Sequence, residues 1–137
     1  MNNLFTYGSL MFPEVWGRVV DGRYRSQDAM LQGFVRRQVR GETYPAIVPG
    51  AVGSCLDGVL YHGISPDDLA RLDRFEGDCY ARTAVGVLSA AGSTVDAFAY
   101  VLKEEYRQIL SAEEWDDAAF EKEGMRLFLS GYCGFDR

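Results

Sequence analysis

The sequence predicts an α+β fold with a mostly antiparallel sheet, of a kind able to curl into a barrel, flanked by helices. Three observations predict it. Apolar segments of strand length recur between glycine and proline breaks, two later segments carry clear helix-start signals, and the chain is rich in aromatics, with eight Phe, eight Tyr and two Trp. That last feature suits a β-rich core and equally a pocket lined by phenols. At 137 residues the chain is read as one domain, 1–137, long enough to bury a core without disulfides or a structural metal.

The elements follow in order. Leu4-Phe5-Thr6-Tyr7 is a short apolar strand that breaks at Gly8-Ser9. A brief helix follows, with Pro13 in its first turn and Val15, Trp16, Val19 and Val20 on its apolar side. The stretch from about Ala29 to Val48 reads as strands punctuated by Gly33, Gly41 and Pro45, and Cys55 to Ile64 reads as another. Ser65-Pro66-Asp67-Asp68 supplies an N-cap serine, a proline at the first helical position and acids at the positive helix end. That helix is expected to run to about Glu76 and stop at Gly77. Tyr80 to Leu88 and Thr94 to Leu102 form a hairpin around Ala91-Gly92-Ser93. Ser111-Ala112-Glu113-Glu114 has the capping-box pattern and predicts a helix to about Ser130.

Composition narrows the function classes. A net charge of −6 argues against nucleic acid or an anionic membrane as partner. No run of about 18 apolar residues, the length of a membrane span, occurs. The start MNNLFTYGSL lacks the basic and apolar regions of a signal peptide. Three cysteines, Cys55, Cys79 and Cys133, are odd in number and lack metal-ligand spacing. They read as free thiols in a reducing, cytoplasmic compartment. No metal or nucleotide cofactor is indicated, since ligand-spaced His and Cys and the phosphate-cradling glycine motifs are absent.

Glu76 is the most informative residue. At about 100° per residue, Leu69, Leu72 and Phe75 define an apolar helix face, and Glu76 lies seven positions after Leu69 and four after Leu72. It projects from that same face. A carboxyl aimed into the fold loses hydration, so its pKa rises and it becomes a better proton carrier near neutrality. The bland alternative is a frayed last turn in which Glu76 pairs with Arg82 or Arg74. Tyr7-Gly8-Ser9-Leu10 is the second feature: a strand that breaks at glycine before a helix exposes backbone N–H groups suited to a carboxylate or phosphate. Many strand-to-helix turns share that pattern without a ligand. His62, the one histidine, reads as a strand residue, and without a nucleophile elbow a Ser-His-Asp site has no support. Arg36, Arg37 and Arg40 read as a solvated edge strand.

Taken together, Phe5-Thr6-Tyr7-Gly8-Ser9-Leu10-Met11, Gly41-Glu42-Thr43-Tyr44-Pro45-Ala46-Ile47, Leu72-Asp73-Arg74-Phe75-Glu76-Gly77 and Tyr80-Ala81-Arg82 resemble the γ-glutamylcyclotransferase-like superfamily. The acidic segment Glu114-Trp115-Asp116 looks like its branch named for plant avirulence-induced proteins. The resemblance runs from about Leu4 to Leu129. It implies a mixed β-barrel with flanking helices and a cavity bounded by the Tyr7–Leu10 loop. It also implies catalytic acid/base work for Glu76, substrate binding by Tyr7, Gly8, Ser9 and Leu10, cavity-lining roles for Tyr80 and Tyr100, and a structural role for Arg82. Members of known activity cyclise a γ-glutamyl group to 5-oxoproline and release an amine or amino acid. The implied partner is therefore a small γ-glutamyl compound, with no cofactor. A non-catalytic binder that kept the cavity, or another amide-cleaving enzyme in the same pocket, stays open as the alternative.

Overall fold

The computed structural model describes residues 2–132; Cys133 lies outside them. Strands β1 (Asn2–Thr6), β2 (Ser26–Gln32), β5 (Cys55–Ile64), β6 (Tyr80–Ser89) and β7 (Thr94–Leu102) close a barrel in the order β1-β5-β2-β6-β7. A separate ribbon pairs β3 (Phe34–Gln38) with β4 (Pro45–Pro49). All the barrel pairings are antiparallel except the closing one, where β1 meets β7 in parallel at Leu4 and Phe98.

Alternation along the strands decides what fills the barrel. On β7, Ala97, Ala99 and Val101 face an interior shared with Phe5, Leu31, Leu60 and Val87, whereas Phe98 and Tyr100 face the helices. Small side chains from β7 leave room for the larger ones opposite. Burying Phe5 and Leu60 contributes about 1.5–3 kcal/mol each, as both are essentially inaccessible to solvent. Gly58 of β5 is needed for close approach, because a Cβ there would strike the Thr6 carbonyl and the Phe5 ring of β1.

The helices form a second layer. Helix α1 (Pro13–Val19) buries Val15 and Trp16 and stacks the Trp16 indole on Tyr61, with centroids 3.7 Å apart. Helix α2 (Pro66–Glu76) starts as its sequence predicts: Ser65 Oγ accepts from the Asp68 N–H at 3.2 Å, and Pro66 occupies the first turn. Asp68 then ties α2 to the loop between α1 and β2 by accepting from the Asp21 and Gly22 N–H groups and the Tyr24 hydroxyl. Gly77 ends the helix at φ 84°, a left-handed value open to glycine at little cost.

The predicted helix from Ser111 to Ser130 requires correction. Helix begins only at α3 (Asp117–Ala119), passes through a π turn at Phe120–Gly124 and continues as α4 (Met125–Gly131). Ser111 does not cap it: its hydroxyl donates to the Gln38 carbonyl at 2.7 Å and accepts from the Glu113 N–H, so a local turn replaces the capping box. Asp116 is the cap instead, accepting from the Ala119 N–H at 3.1 Å. A short 3-10 helix at Glu104–Ile109 precedes this segment. Trp115 anchors it to the β3–β4 ribbon, its indole N–H donating to the Thr43 carbonyl at 2.9 Å. No helix among the described residues is long and apolar enough to cross a membrane.

Candidate functional site

Glu76 occupies the last turn of α2, and its orientation follows from the helix. Leu69, Leu72 and Phe75 are buried against the helical layer. Their packing turns Glu76 into a cleft between α2, the loop after β1, the β3–β4 ribbon and the end of α4. Glu76 is half-buried, and its carboxyl lies in the cleft with its oxygens still in partial reach of solvent. Burial, reinforced by the negative charge of Asp73, pushes that carboxyl up to about 8. Among the described residues it has neither a hydrogen-bond donor nor an ion-pair partner.

Neither Arg82 nor Arg74, the partners of the frayed-turn alternative, pairs with Glu76 among the described residues. Arg82 pairs with Asp73, its Nε 3.0 Å from Oδ1, and not with Glu76. Arg82 also lies over the Phe98 ring at 4.8 Å. The same Asp73 oxygen accepts from the Tyr100 hydroxyl at 2.7 Å. One carboxylate thus gathers both partners, and the next carboxyl along the helix is left without them.

Facing Glu76 across the cleft is the turn at Tyr7–Leu10. It is held from both sides. The Tyr7 hydroxyl donates to the Tyr100 carbonyl of β7 at 2.6 Å, and the Tyr7 carbonyl accepts from Arg36 Nη1 at 2.8 Å. A short 3-10 turn at Ser9–Met11 follows, closed by the Met11 N–H donating to the Gly8 carbonyl. The backbone N–H groups of Gly8, Ser9 and Leu10 find no protein acceptor among the described residues. Gly8 is required by space: a Cβ there would lie 2.8 Å from two carbons of Pro45. The phenols of Tyr7 and Tyr80 are pushed well above their usual range, chiefly by burial. They remain neutral donors near pH 7.

Seven of the residues singled out in the sequence therefore share one cleft: Glu76, Tyr7, Gly8, Ser9, Leu10, Tyr80 and Tyr100. Arg82 stands behind it as the partner of Asp73. Two roles differ from expectation. The Tyr7 hydroxyl is committed to Tyr100, leaving the backbone of this turn as its polar face. Arg36 is no solvated edge residue: it reaches under the turn, also donates to the Asp57 carbonyl at 3.0 Å, and packs over Trp115. Tyr44, Phe75, Phe128 and Tyr132 line the cleft as well. The i, i+4 spacing of Phe128 and Tyr132 marks a shared helix face, but nothing in the sequence says what that face covers. The free volume is about 20 Å³, room for roughly one water. No group of three or more metal-ligating side chains forms among the described residues.

Comparison with known proteins bears on this arrangement. A family model described as "Gamma-glutamyl cyclotransferase, AIG2-like" matches residues 4–117. AIG2-like protein C of Arabidopsis thaliana is 36% identical over 115 residues, covering 83% of this chain and 66% of that protein. Against a second AIG2-like relative the aligned part is 53% of its length, so the chain spans about half to two thirds of these relatives. A solution structure of an Arabidopsis thaliana protein superposes with a TM-score of 0.72 at 27% identity, over 94% of this chain and 78% of that one. A solved structure named "Gamma-glutamyl cyclotransferase" shares the fold, with a TM-score of 0.63 at 22% identity over 74% of this chain and 66% of that one.

Proposed function

The chain belongs to the AIG2-like gamma-glutamyl cyclotransferase family, and from that premise we propose that it cyclises a γ-glutamyl amine or γ-glutamyl amino acid to 5-oxoproline, with Glu76 as the general acid/base. The observation that carries this reading is a half-buried cleft carboxyl that shares its cleft with the backbone N–H groups of Gly8 to Leu10, neither having a partner among the described residues. A stable fold has no need of either, and a substrate with an amine, a carboxylate and a carbonyl uses both.

The chemistry follows from the groups present. Glu76, with its carboxyl near 8, is close to an ordinary α-amine at roughly 7.7–8.0, so proton transfer between them is nearly level in energy. Loss of that proton frees the α-nitrogen lone pair to attack the substrate's own γ-carbonyl carbon. The new C–N bond closes a five-membered ring, and the carbonyl π electrons move to oxygen. When the C=O re-forms, the bond to the amine half breaks as Glu76 hands its proton to the departing nitrogen; the same carboxylate then takes the second proton from the ring nitrogen and passes it to the released amine, which leaves as an ammonium ion. Neither a nucleophilic side chain nor an oxidant enters the balance. The N–H groups of Gly8 to Leu10 serve the glutamyl α-carboxylate or the developing oxyanion. Holding amine and carbonyl together contributes several kcal/mol on the order expected for a well-oriented intramolecular reaction. Free thiols at Cys55 and Cys79 fit a cytoplasmic setting for this enzyme.

Glu76→Gln tests the assignment, because it keeps shape and polarity and removes the proton acceptor. Release of 5-oxoproline from a γ-glutamyl substrate is expected to fall by about 10²–10⁴, with binding retained through the loop. Undiminished turnover in the variant would overturn the assignment. Binding without turnover in both proteins would make this a γ-glutamyl-binding protein instead.

A further inference from the structure

We propose that Arg36 is a positioning residue for the reaction: by binding the Tyr7 carbonyl from behind the turn, it aims and polarises the Gly8 N–H that the cleft presents to substrate. Its role deepens the cyclotransferase reading and rests on it, since it sets the donors that the glutamyl group meets.

The need arises where β1 leaves the barrel. The last pair of the β1–β5 ladder is Thr6 with Val59, and beyond it the backbone of Tyr7 has no strand partner. A carbonyl on a residue as buried as Tyr7 requires a donor. Arg36 supplies one from β3, where it stands opposite Ile47 in the ribbon. Its Nη1 donates to the Tyr7 carbonyl at 2.8 Å and to the Asp57 carbonyl at 3.0 Å, so one nitrogen joins the turn to β5. The guanidinium is itself held over the Trp115 ring, 5.5 Å from its centroid. The Trp115 indole N–H in turn donates to the Thr43 carbonyl, in the bend of the same ribbon.

The consequence for substrate follows from the peptide plane. The Tyr7 carbonyl and the Gly8 N–H belong to one trans peptide unit, so they point in opposite directions. Gly8 lines the cleft, whereas Arg36 lines a separate groove behind the turn. Fixing the carbonyl toward Arg36 therefore fixes the N–H away from it, on the side of the cleft. Glycine tolerates most backbone angles, so nothing at Gly8 itself resists rotation of this plane. The Tyr7 ring is already tied through its hydroxyl to the Tyr100 carbonyl, and Pro45 sits against Gly8. With both neighbours seated, the Arg36 contact decides the rotation that is left. A charged donor also draws electron density toward the carbonyl oxygen, and hydrogen bonds in series strengthen one another. The Gly8 N–H becomes a better donor to a carboxylate or an oxyanion. Arg37, one residue along, donates instead to the Arg36 carbonyl at 3.2 Å.

The test compares Arg36→Ala with Arg37→Ala, which removes the same charge from the next position, by 5-oxoproline release from γ-glutamylalanine and γ-glutamylethylamide. Arg36→Ala is expected to lose about 10- to 100-fold in kcat/KM, the scale of a donor misplaced by about 1 Å, and Arg37→Ala to match wild type. The pH–rate limb near 8 is expected to stay in place in Arg36→Ala, because burial and Asp73 set Glu76. The groove beside Arg36 is open, with about 470 Å³ free, so added guanidinium ion can enter the space left by the substitution and is expected to restore activity. The amide NMR signal of Gly8 is expected to move in Arg36→Ala and to return with guanidinium. Wild-type kcat/KM in folded Arg36→Ala, equal losses in both variants, a shifted limb, a loss that guanidinium does not relieve or an unmoved Gly8 signal would each overturn the role of Arg36 and leave the cyclotransferase reading intact. If Arg36→Ala does not fold, Arg36→Met, which keeps an apolar stem beside Trp115, takes its place in every comparison but the rescue. If the wild type releases no 5-oxoproline, the cyclotransferase reading fails by itself and the Gly8 signal decides: movement in the Arg36 variant alone supports its hold on the turn, and an unmoved signal overturns that as well.

Discussion

The half-buried carboxyl of Glu76 makes stability depend on pH in a direction that a single substitution isolates. Its pKa is about 8 in the folded chain against an ordinary 4.5. Between those values the folded chain binds more protons than the unfolded one, so stability is fully present below about pH 4.5 and is lost as pH rises through about 8. At about 1.4 kcal/mol per tenfold change in proton affinity, the loss from about pH 5.5 to about pH 8.5 is roughly 3 kcal/mol. Glu76→Gln replaces the protonated acid with a neutral amide of the same shape, so that component of the slope disappears. Urea unfolding followed by fluorescence of the buried Trp16 and Trp115 reads the effect. A gap of this size moves the midpoint by 1 M or more at a typical urea m value of about 1–3 kcal/mol/M. The two proteins are expected to lie within about 1.5 kcal/mol of each other at the acid end, with the variant clearly more stable at the alkaline end. Parallel pH profiles would refute the argument, because the other titrating groups are common to both proteins and cancel in the difference.

Two further substitutions test the surroundings of Glu76. In the wild-type protein kcat/KM is expected to rise with pH through about 8, as the free enzyme's base ionises. Asp73→Asn removes the negative charge that helps hold Glu76 high and releases Arg82, so this limb is expected to move to lower pH; an unmoved limb in the pH–rate profile would rule out the coupling. Gly8→Ala places a methyl 2.8 Å from Pro45 and forces the turn away from the β3–β4 ribbon. An overpacking loss of about 1–3 kcal/mol in thermal unfolding is expected, together with a raised KM, and a variant that matches wild type in both would show that the turn does not need its close seat.

What the sequence disclosed about this site was set by how local the signals are. Helix α2 was legible because its serine cap, first-turn proline and terminal glycine all lie within the helix or next to it, and the direction of Glu76 followed from Leu69 and Leu72 on the same face. Strand positions were legible from alternation, but their order was not: β1 closes the barrel by pairing with β5 and β7, more than 50 residues away along the chain. The helix after Ser111 was placed too early for the same reason. The Gln38 carbonyl, supplied by a distant strand, draws the Ser111 hydroxyl out of its cap. Arg82 shows most clearly what tertiary pairing decides. The sequence allowed it to neutralise Glu76 or to stand aside, and those alternatives have opposite chemical consequences. An arginine on Glu76 would have held its carboxyl low and fully ionised, a weak proton acceptor near neutrality. Paired with Asp73 three residues earlier, the same arginine leaves Glu76 half-buried beside a like charge, and the ion pair next to the site preserves the basicity that the proposed reaction needs.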